Sequence, residues 1–264
     1  MQQDDWQLKL VQKSLKKKEK IDLINKHLDV GPQDILLDLG CAQGILSCFL
    51  RKKGGFWISA DQDFINVKSS QKILEKNLLQ LEPGPLPFKD GTFDKVVCLD
   101  YLEHLEDDQL CVNEIHRVLK KGGEFIAATP RTGNIFILNY LRPLLGMKLE
   151  FYGHKRQGYS LKQLKKLLEK ADLQFTKHKS FSGFLTEFIE LILNFLYIKL
   201  FSPKKSFQLR DGHIRPSTSS EFDSSQKAFN LYSLVYPVIW MITRIDKIFF
   251  FQRKYGLMIW AQKK

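Results

Sequence analysis

The chain has 264 residues, with 41 Lys and Arg against 29 Asp and Glu, which gives a formal net charge of +12. A hydrophobic content of 44% with 27% charged residues indicates a folded domain with a full core. The four cysteines include no C-x-x-C pair, which argues against a disulfide framework or a cysteine zinc site. The first residues lack the basic start and apolar centre of a secretion signal, so we expect a cytoplasmic protein.

The first predicted element is one helix from about Asp5 to Leu28. Its apolar residues recur at helical intervals and would form a buried face. Lysines 16–18 and Lys20 would then occupy the solvated face, as charge runs usually do. We assign residues 1–30 to an N-terminal cap helix.

A buried strand is predicted at residues 35–39, where Leu-rich sequence runs into a turn with Gly40 and Gly44 and then into a helix. Glycines in such a turn let the backbone approach a ligand closely. Asp38 places a carboxylate at the same crevice, which suits a ligand with a cationic end. The spacing Gly40-x-x-x-Gly44 differs from the G-x-G-x-x-G pattern of dinucleotide sites.

A second strand at residues 56–60 ends in Asp61, about 20 residues after the turn, where an acid can bind both ribose hydroxyls. A further strand is predicted at residues 95–99. A helix then runs from about Glu114 to the glycine pair at 122–123, which we expect to stop it, and the next strand covers residues 124–129.

Five motifs follow one another in this part of the chain: DLGCAQG at 38–44, ISAD at 58–61, LPFKDGTFDKVV at 86–97, LEHL at 102–105 and RVLKKGG at 117–123. In order and spacing they resemble the class I S-adenosylmethionine-dependent methyltransferases, in particular the quinone-biosynthesis C-methyltransferase-like branch (methyltransferase type 11). The resemblance implies an α/β fold with a seven-stranded Rossmann-like sheet, mostly parallel with an antiparallel last strand. It places the core at residues 31–182 and implies S-adenosylmethionine as the cofactor.

The resemblance also implies the cofactor-binding residues, which lie at strand ends and in the glycine turn: Asp38, Gly40, Cys41, Gly44, Asp61, Gln62, Glu82 and Leu99. Asp38, Gly40 and Gly44 would surround the methionine part, and Cys41 would lend its backbone N–H. Asp61 would hold the ribose and Gln62 the adenine. Glu82 falls at an acidic position that reads the adenine edge, but the following Pro83 departs from the family because it has no N–H to donate.

Candidate catalytic residues lie near the expected methyl-transfer cavity. His104 is the first choice for a general base, with Asp100 and His154 beside it; the Glu-His pair could equally be structural, holding the turn. Arg156 and Tyr159, in the loop after the fifth strand, are candidate substrate contacts for a phosphate or polar head group. Plain packing at the helix entry explains them as well. No spacing typical of metal ligands is present, so no metal is expected.

The most individual segment is an insertion at residues 183–253, between a sixth strand near 173–180 and a last strand within 254–264. It contains two apolar helices with narrow polar rows, at residues 184–201 and 228–251. Residues 199–264 carry twelve Lys and Arg against four acidic residues. Spanning a membrane would bury Arg244, Asp246 and Lys247 at about 2.5 to 3.5 kcal/mol each. The pattern favours helices that lie in a membrane interface.

The sequence therefore predicts a methyltransferase for an amphiphilic or membrane-associated small molecule, such as a quinone precursor, a lipid or a lipid-linked sugar. We expect peripheral contact with the inner face of the membrane through residues 184–201 and 228–251. The two helices could instead form a buried cap or a homodimer interface. Two other functions stay open: an RNA methyltransferase, although no RNA-binding module is visible, and an inactive cofactor-binding subunit.

Overall fold

The computed structural model describes residues 5–133, 135–201, 219–248 and 254–264. Among them, seven strands form one sheet in the order β3-β2-β1-β4-β5-β7-β6. The strands are β1 (Ile35–Leu39), β2 (Phe56–Asp61), β3 (Leu78–Gln80), β4 (Phe93–Leu99), β5 (Leu119–Pro130), β6 (Leu173–Phe181) and β7 (Gly256–Lys263). The helices are α1 (Asp5–Gln12), α2 (Leu15–His27), α3 (Ile45–Arg51), α4 (Phe64–Leu74), α5 (Asp108–Val118), α6 (Ile137–Leu144), α7 (Leu161–Lys170), α8 (Phe184–Phe201), α9 (Ser219–Ser224) and α10 (Gln226–Thr243).

The sheet confirms the predicted fold class. Strands β3, β2, β1, β4 and β5 pair in parallel, whereas β7 runs antiparallel between β5 and β6. Because the central strands are parallel, the chain leaves β1, β2 and β4 at the same edge of the sheet, and the loops that follow them meet there.

Both faces of the sheet are buried, which explains why the central strands are continuously apolar. Leu37 of β1 and Val96 of β4 belong to the core cluster that also contains residues of α5 and α7. Leu36 and Val97 point to the opposite face, where the core includes residues of α2 and α3. Successive strand residues alternate between these two helix layers, and the sheet edge with its loops is held between them.

Two predicted helices end where the sequence analysis did not place them. The N-terminal helix is broken into α1 and α2, because Ser14 leaves the helical conformation and its side chain accepts from the Lys17 N–H as an N-cap. Helix α5 ends at Val118 rather than at the glycine pair, and β5 begins directly at Leu119. Strand β5 pairs with β4 at Leu119 and again from Glu124, so the glycines lie in a bulge inside the strand.

The segment between β6 and β7 forms α8, α9 and α10, at the place in the chain predicted for the insertion. Helix α10 is shorter than predicted: it ends at Thr243 and a 3-10 turn follows at Arg244–Lys247. The predicted helix residues 249–251 and the loop residues 202–218 lie outside the described residues. The division of the chain into units 1–30, 31–182, 183–253 and 254–264 stays a prediction.

Asp246 connects the turn after α10 to helix α8. It is buried, and its carboxylate accepts from the backbone N–H groups of Leu185 and Thr186 at 3.0 and 2.8 Å, and from the Thr186 hydroxyl at 2.9 Å. These N–H groups belong to the first turn of α8, which has no carbonyl partners for them within the helix. Asp246 therefore caps α8 from inside the protein.

In the described part of the chain, no helix combines the length and hydropathy needed to cross a membrane.

Glu187 joins α8 to the rest of the protein. Its side chain is fully buried and accepts from the Ser182 hydroxyl at 2.6 Å. Lys16 of α2 lies 2.7 Å from one carboxylate oxygen, and Arg142 of α6 donates to the other. Burial alone would raise the pKa of Glu187, but the two cations outweigh it and lower the pKa to about 2.

Replacing Glu187 by Ala should lower the free energy of unfolding by about 2 to 4 kcal/mol, because Lys16, Arg142 and Ser182 lose their common partner. Urea denaturation at neutral pH measures this. Glu169→Ala, at an exposed position of α7, is the matched control and should change stability by less than about 0.5 kcal/mol. Equal stability of the two variants would contradict the central role of Glu187.

Candidate functional site

Three aspartates lie where the parallel strands end. Asp38 is near the end of β1, Asp61 ends β2, and Asp100 follows β4. Asp38 and Asp61 are both buried, and Asp100 is partly exposed. The backbone of Asp100 has a left-handed φ of +52°, and its N–H donates to the Ala128 carbonyl of β5 at 2.8 Å. The sheet thus brings to one edge the carboxylates that the motifs singled out.

The turn after β1 needs its glycines for reasons internal to the protein. Gly40 and Gly44 have φ of +81° and +79°, which favours glycine at both positions. A Cβ on Gly40 would lie 2.4 Å from the ring of Tyr101. The Tyr101 ring therefore occupies the space in which a side chain at position 40 would lie. The N–H groups of Gly40 and Cys41 both donate to the Ala60 carbonyl. The expected cofactor donor at Cys41 is therefore already used within the sheet.

Asp61 fixes the same turn from the next strand. The N–H of Ala42 donates to Asp61 Oδ2 at 2.8 Å, and the N–H of Asp63 donates to Oδ1 at 2.9 Å. Burial raises the pKa of Asp61, and these backbone hydrogen bonds oppose the rise. Asp61 thus positions the glycine turn, in addition to the ribose contact that the resemblance implies.

Asp38 is the carboxylate that fits a cationic ligand best. Among the described residues its Oδ2 atom is buried without a hydrogen-bond partner. Burial raises the pKa of Asp38 to about 6, although the hydroxyls of Ser47 and Ser59 oppose this rise. A buried acceptor without a partner is costly unless a ligand satisfies it. The site therefore fits the positively charged α-ammonium group of the methionine part of S-adenosylmethionine.

A cavity of about 370 Å³, a size usual for small-ligand sites, is lined by Leu39 and Gln62, the chain neighbours of Asp38 and Asp61, but not by the two aspartates themselves. Glu82 lines it together with Gln62, which fits the predicted adenine end. Tyr101 and His104 line it as well. Leu99 is buried at the end of β4 and does not line this cavity.

His104 and His154 meet although they are far apart in the sequence. The N–H groups of Lys155 and Arg156 donate to the Glu103 carbonyl at 2.9 and 3.3 Å, which draws the loop after α6 onto the 3-10 turn at Leu102–His104. The two imidazoles then pack edge to face, with centroids 4.7 Å apart. His104 Nδ1 lies 3.0 Å from the Gly153 carbonyl oxygen. Because that oxygen only accepts, Nδ1 carries the proton and Nε2 of the neutral ring holds the lone pair.

Sequence reasoning missed Glu103. Its side chain is fully buried, and in the described part of the chain both carboxylate oxygens lack a hydrogen-bond partner. Burial, reinforced by the charge of Asp100, raises the pKa of Glu103 to about 8, while burial lowers the pKa of His154 to about 4. Glu103, His104 and His154 each place a potential ligand atom within 4.8 Å of the others, so together they could hold a metal ion. Residue spacing alone did not indicate this set because the loop supplies its third member.

Lys20 was also missed. It was placed on a solvated face, but the structure buries it, and its ammonium donates to Asp100. Burial raises the pKa of Asp100, but Lys20 outweighs this effect and keeps the pKa below its usual value. A signal was present in the sequence: Lys20 precedes Ile24 and Leu28 by one and two helical turns, on the stripe that faces the core.

The predicted substrate contacts Arg156 and Tyr159 are engaged elsewhere. Arg156 donates to Asp108 and to the Leu105 and Glu106 carbonyls, and the Tyr159 hydroxyl lies 2.6 Å from Asp108 Oδ2. Neither residue lines the cavity described above. Their observed contacts fasten the loop that carries His154, which is the packing alternative considered from the sequence.

The chain is similar in sequence to known methyltransferases. A family model described as a methyltransferase domain matches residues 37–127. A demethylmenaquinone methyltransferase of Lysinibacillus sphaericus is 25% identical over 60% of this chain and 77% of its own length. A ubiquinone biosynthesis O-methyltransferase of Chromobacterium violaceum is 27% identical over 45% of this chain and 54% of its own. An uncharacterized protein of Methanocaldococcus jannaschii is 30% identical over 41% of this chain, which spans 46% of that relative's length.

Solved structures share the fold across nearly the whole chain. A SAM-dependent methyltransferase of Thermotoga maritima matches with a TM-score of 0.58 at 16% identity, covering 99% of this chain and 96% of that one. Another SAM-dependent methyltransferase, from Methanosarcina mazei, matches with a TM-score of 0.53 at 16% identity, covering 90% and 96%. These structures confirm the predicted fold, and the family model supports the predicted resemblance to methyltransferases over residues 37–127.

The pKa of Asp38 makes cofactor binding depend on pH. A cationic ligand binds the ionised carboxylate, so the Kd for S-adenosylmethionine should rise as pH falls through about 6, by up to about tenfold per pH unit. Isothermal calorimetry between neutral pH and pH 5 measures this. Asp38→Asn should bind about tenfold or more weakly and lose most of the pH dependence. An unchanged slope in Asp38→Asn would assign the titration to another group.

Proposed function

We propose that this chain, whose residues 37–127 match a methyltransferase domain, transfers the methyl group of S-adenosylmethionine to an amphiphilic small molecule. A quinone precursor, a lipid or a lipid-linked sugar is the acceptor class. The observation that carries the proposal is the buried Asp38 carboxylate, whose Oδ2 atom has no hydrogen-bond partner among the described residues. The helices between β6 and β7 expose apolar side chains, which fits an amphiphilic acceptor. The names of the quinone-biosynthesis relatives support the same acceptor class.

Several groups of this chain would hold the cofactor. Asp38 would pair with its cationic end and Asp61 would accept from its ribose, while Gln62 and Glu82 line the space for its base. Bound S-adenosylmethionine supplies a methyl carbon attached to a positively charged sulfur. The protein mainly has to align the acceptor's lone pair with that carbon and exclude water.

His104 is the proposed general base, used where the acceptor is a hydroxyl or carbon acid that must lose a proton. Its Nδ1–H donates to the Gly153 carbonyl oxygen, so Nε2, which carries the lone pair, is the atom that takes the proton. His154 packs on the same ring, and the raised pKa of Glu103 keeps a neutral carboxyl nearby at physiological pH. Asp100, held by Lys20, completes the acidic wall of the site.

His104→Gln should lower kcat by about 10²- to 10⁴-fold while the Kd for S-adenosylmethionine changes little, because the base acts on the acceptor. The acidic limb of the pH profile for kcat should disappear as well. His178→Gln, at an exposed position of β6, is the matched control and should leave both quantities unchanged. If His104→Gln has the same kcat and pH profile as the wild type, His104 is not the base and the Glu-His pair has a structural role.

The acceptor class is tested with S-adenosylmethionine labelled in the methyl group and extracts of cells that make quinones. We expect label in the lipid-soluble fraction, and its loss in Asp61→Ala, which removes the ribose acceptor. Asp223→Ala, at an exposed position of α9, is the control and should label normally.

Label in RNA would overturn the proposed acceptor class and favour an RNA methyltransferase. Cofactor binding without label in any fraction would instead indicate an inactive cofactor-binding subunit. We also propose peripheral contact with the inner face of the cytoplasmic membrane through residues 184–201 and 228–251, because an amphiphilic acceptor resides there.

A further inference from the structure

Helix α8 shows its apolar side to solvent. Phe184, Phe188, Ile192 and Leu196 follow one another at intervals of four residues, so they form one row along the helix. Each of these side chains is between 36% and 43% exposed. Such a row normally faces the core of a globular protein.

Polar residues in the first turns of α8 face inward. Thr186 and Glu187 are fully buried, and Asp246, which caps the helix, is buried with them. Because Glu187 is held by Lys16 and Arg142, rotating α8 to bury its phenylalanines would break this ion-pair cluster. The buried charges therefore determine which side of α8 is exposed.

Two neighbouring helices extend this exposed surface. Helix α6 packs on α8 through a small core that includes Phe136, Leu138 and Leu191. On its outer side α6 exposes Ile137, Tyr140, Leu141 and Leu144, the last being 81% exposed. Helix α6 was not predicted from the sequence.

Helix α10 and the 3-10 turn after it also pack against α8. Their exposed apolar residues are Leu231, Leu234, Val235, Val238, Met241, Ile242, Ile245 and Ile248. We call the outer faces of α6, α8 and α10 with this turn the apolar platform. Single apolar side chains are common on protein surfaces, but a group of this size on adjoining helices is not. Such a group indicates an interaction site.

The charges around the apolar platform select its occupant. On its helices Glu187 and Asp246 are buried and Glu190 is half-buried, whereas Lys227 and Lys247 are exposed. Arg244 stacks on Trp240, 3.8 Å from the ring centroid, which combines an aromatic ring with a cation as membrane-interface helices often do. The exposed charges are thus mainly cationic. They complement anionic lipid and would repel the same surface of a second copy.

We propose that the apolar platform, including α6, lies in the head-group region of an anionic lipid membrane, with the ion-pair cluster at Glu187 holding its helices in that orientation. This inference deepens the proposed membrane contact and rests on the proposed function for its biological purpose. Helix α2 connects the platform to the site, since Lys16 contacts Glu187 and Lys20, one turn later, contacts Asp100. An acceptor in the membrane would therefore meet the protein one helix away from the cofactor edge.

Flotation with vesicles tests the proposal. Wild-type protein should float with vesicles of equal parts phosphatidylcholine and phosphatidylglycerol, less so at high salt, and weakly with phosphatidylcholine alone. Leu144→Glu and Leu234→Glu, both at highly exposed positions, should each lower the partition coefficient about tenfold or more. Phe56→Glu carries the same change at an exposed position at the start of β2, outside the platform, and should bind like wild type.

Two outcomes would overturn the proposal. One is wild-type protein that does not float at low salt, and the other is flotation that Leu144→Glu and Leu234→Glu leave unchanged. Sedimentation without vesicles tests the competing occupant: a wild-type dimer that both variants convert to monomers, together with no flotation, would assign the platform to a second copy.

A fluorescence measurement locates the contact independently. Brominated lipid should quench Trp240, and the quenching should fall in Trp240→Phe, because Trp57 and Trp260 are buried in the core. Any quenching that remains in Trp240→Phe would come from Trp6, which is half-buried against Phe222. Calorimetric binding of S-adenosylmethionine by Leu144→Glu should match wild type. If a variant stops floating while it still binds cofactor and still methylates a detergent-solubilised acceptor, that result concerns the platform alone. Protein that floats but does not transfer methyl groups contradicts the proposed enzyme function instead.

Discussion

The pairing of buried charges along helix α2 is the constraint on which the rest of the arrangement depends. Lys16 and Lys20 lie one turn apart, and each contacts a carboxylate: Lys16 the buried Glu187 and Lys20 the partly exposed Asp100. Lys16 pairs with Glu187 and so fixes the orientation of α8. Lys20 pairs with Asp100 and so fixes the N-terminal helices over the end of β4. One helix thus connects the insertion with the candidate site.

Some carboxylates of the site have their hydrogen bonds supplied by the protein, whereas others have an oxygen without a partner. Asp61 accepts two backbone hydrogen bonds and holds the glycine turn, whereas an oxygen of Asp38 has no partner among the described residues. Burying an oxygen without a hydrogen-bond partner costs free energy, so such an atom is expected where a ligand supplies the missing donor. This difference separates a residue that builds the turn from one that is available to the cofactor.

Parts of this arrangement could be predicted because they depend on local patterns. The continuous apolar runs of β1 and β4 and the glycine turn predicted the sheet and the edge where we propose that the cofactor binds. Helix ends were less predictable, since Ser14 and Leu119 end helices through hydrogen bonding and strand pairing that involve other parts of the chain. Arg156 and Tyr159 were assigned to substrate because the sequence does not show that Asp108 is their partner.

The sequence by itself determined the fold class, the resemblance to methyltransferases and the place of the apolar helices in the chain, because each of these is encoded by residues close together in the chain. Only the tertiary structure decided that Glu103, His104 and His154 meet, that Lys20 is buried against Asp100, and that α8 turns its phenylalanines outward. These features depend on contacts between segments far apart in the sequence. Periodicity identifies the two sides of a helix, but the partners of its buried charges decide which side faces the solvent.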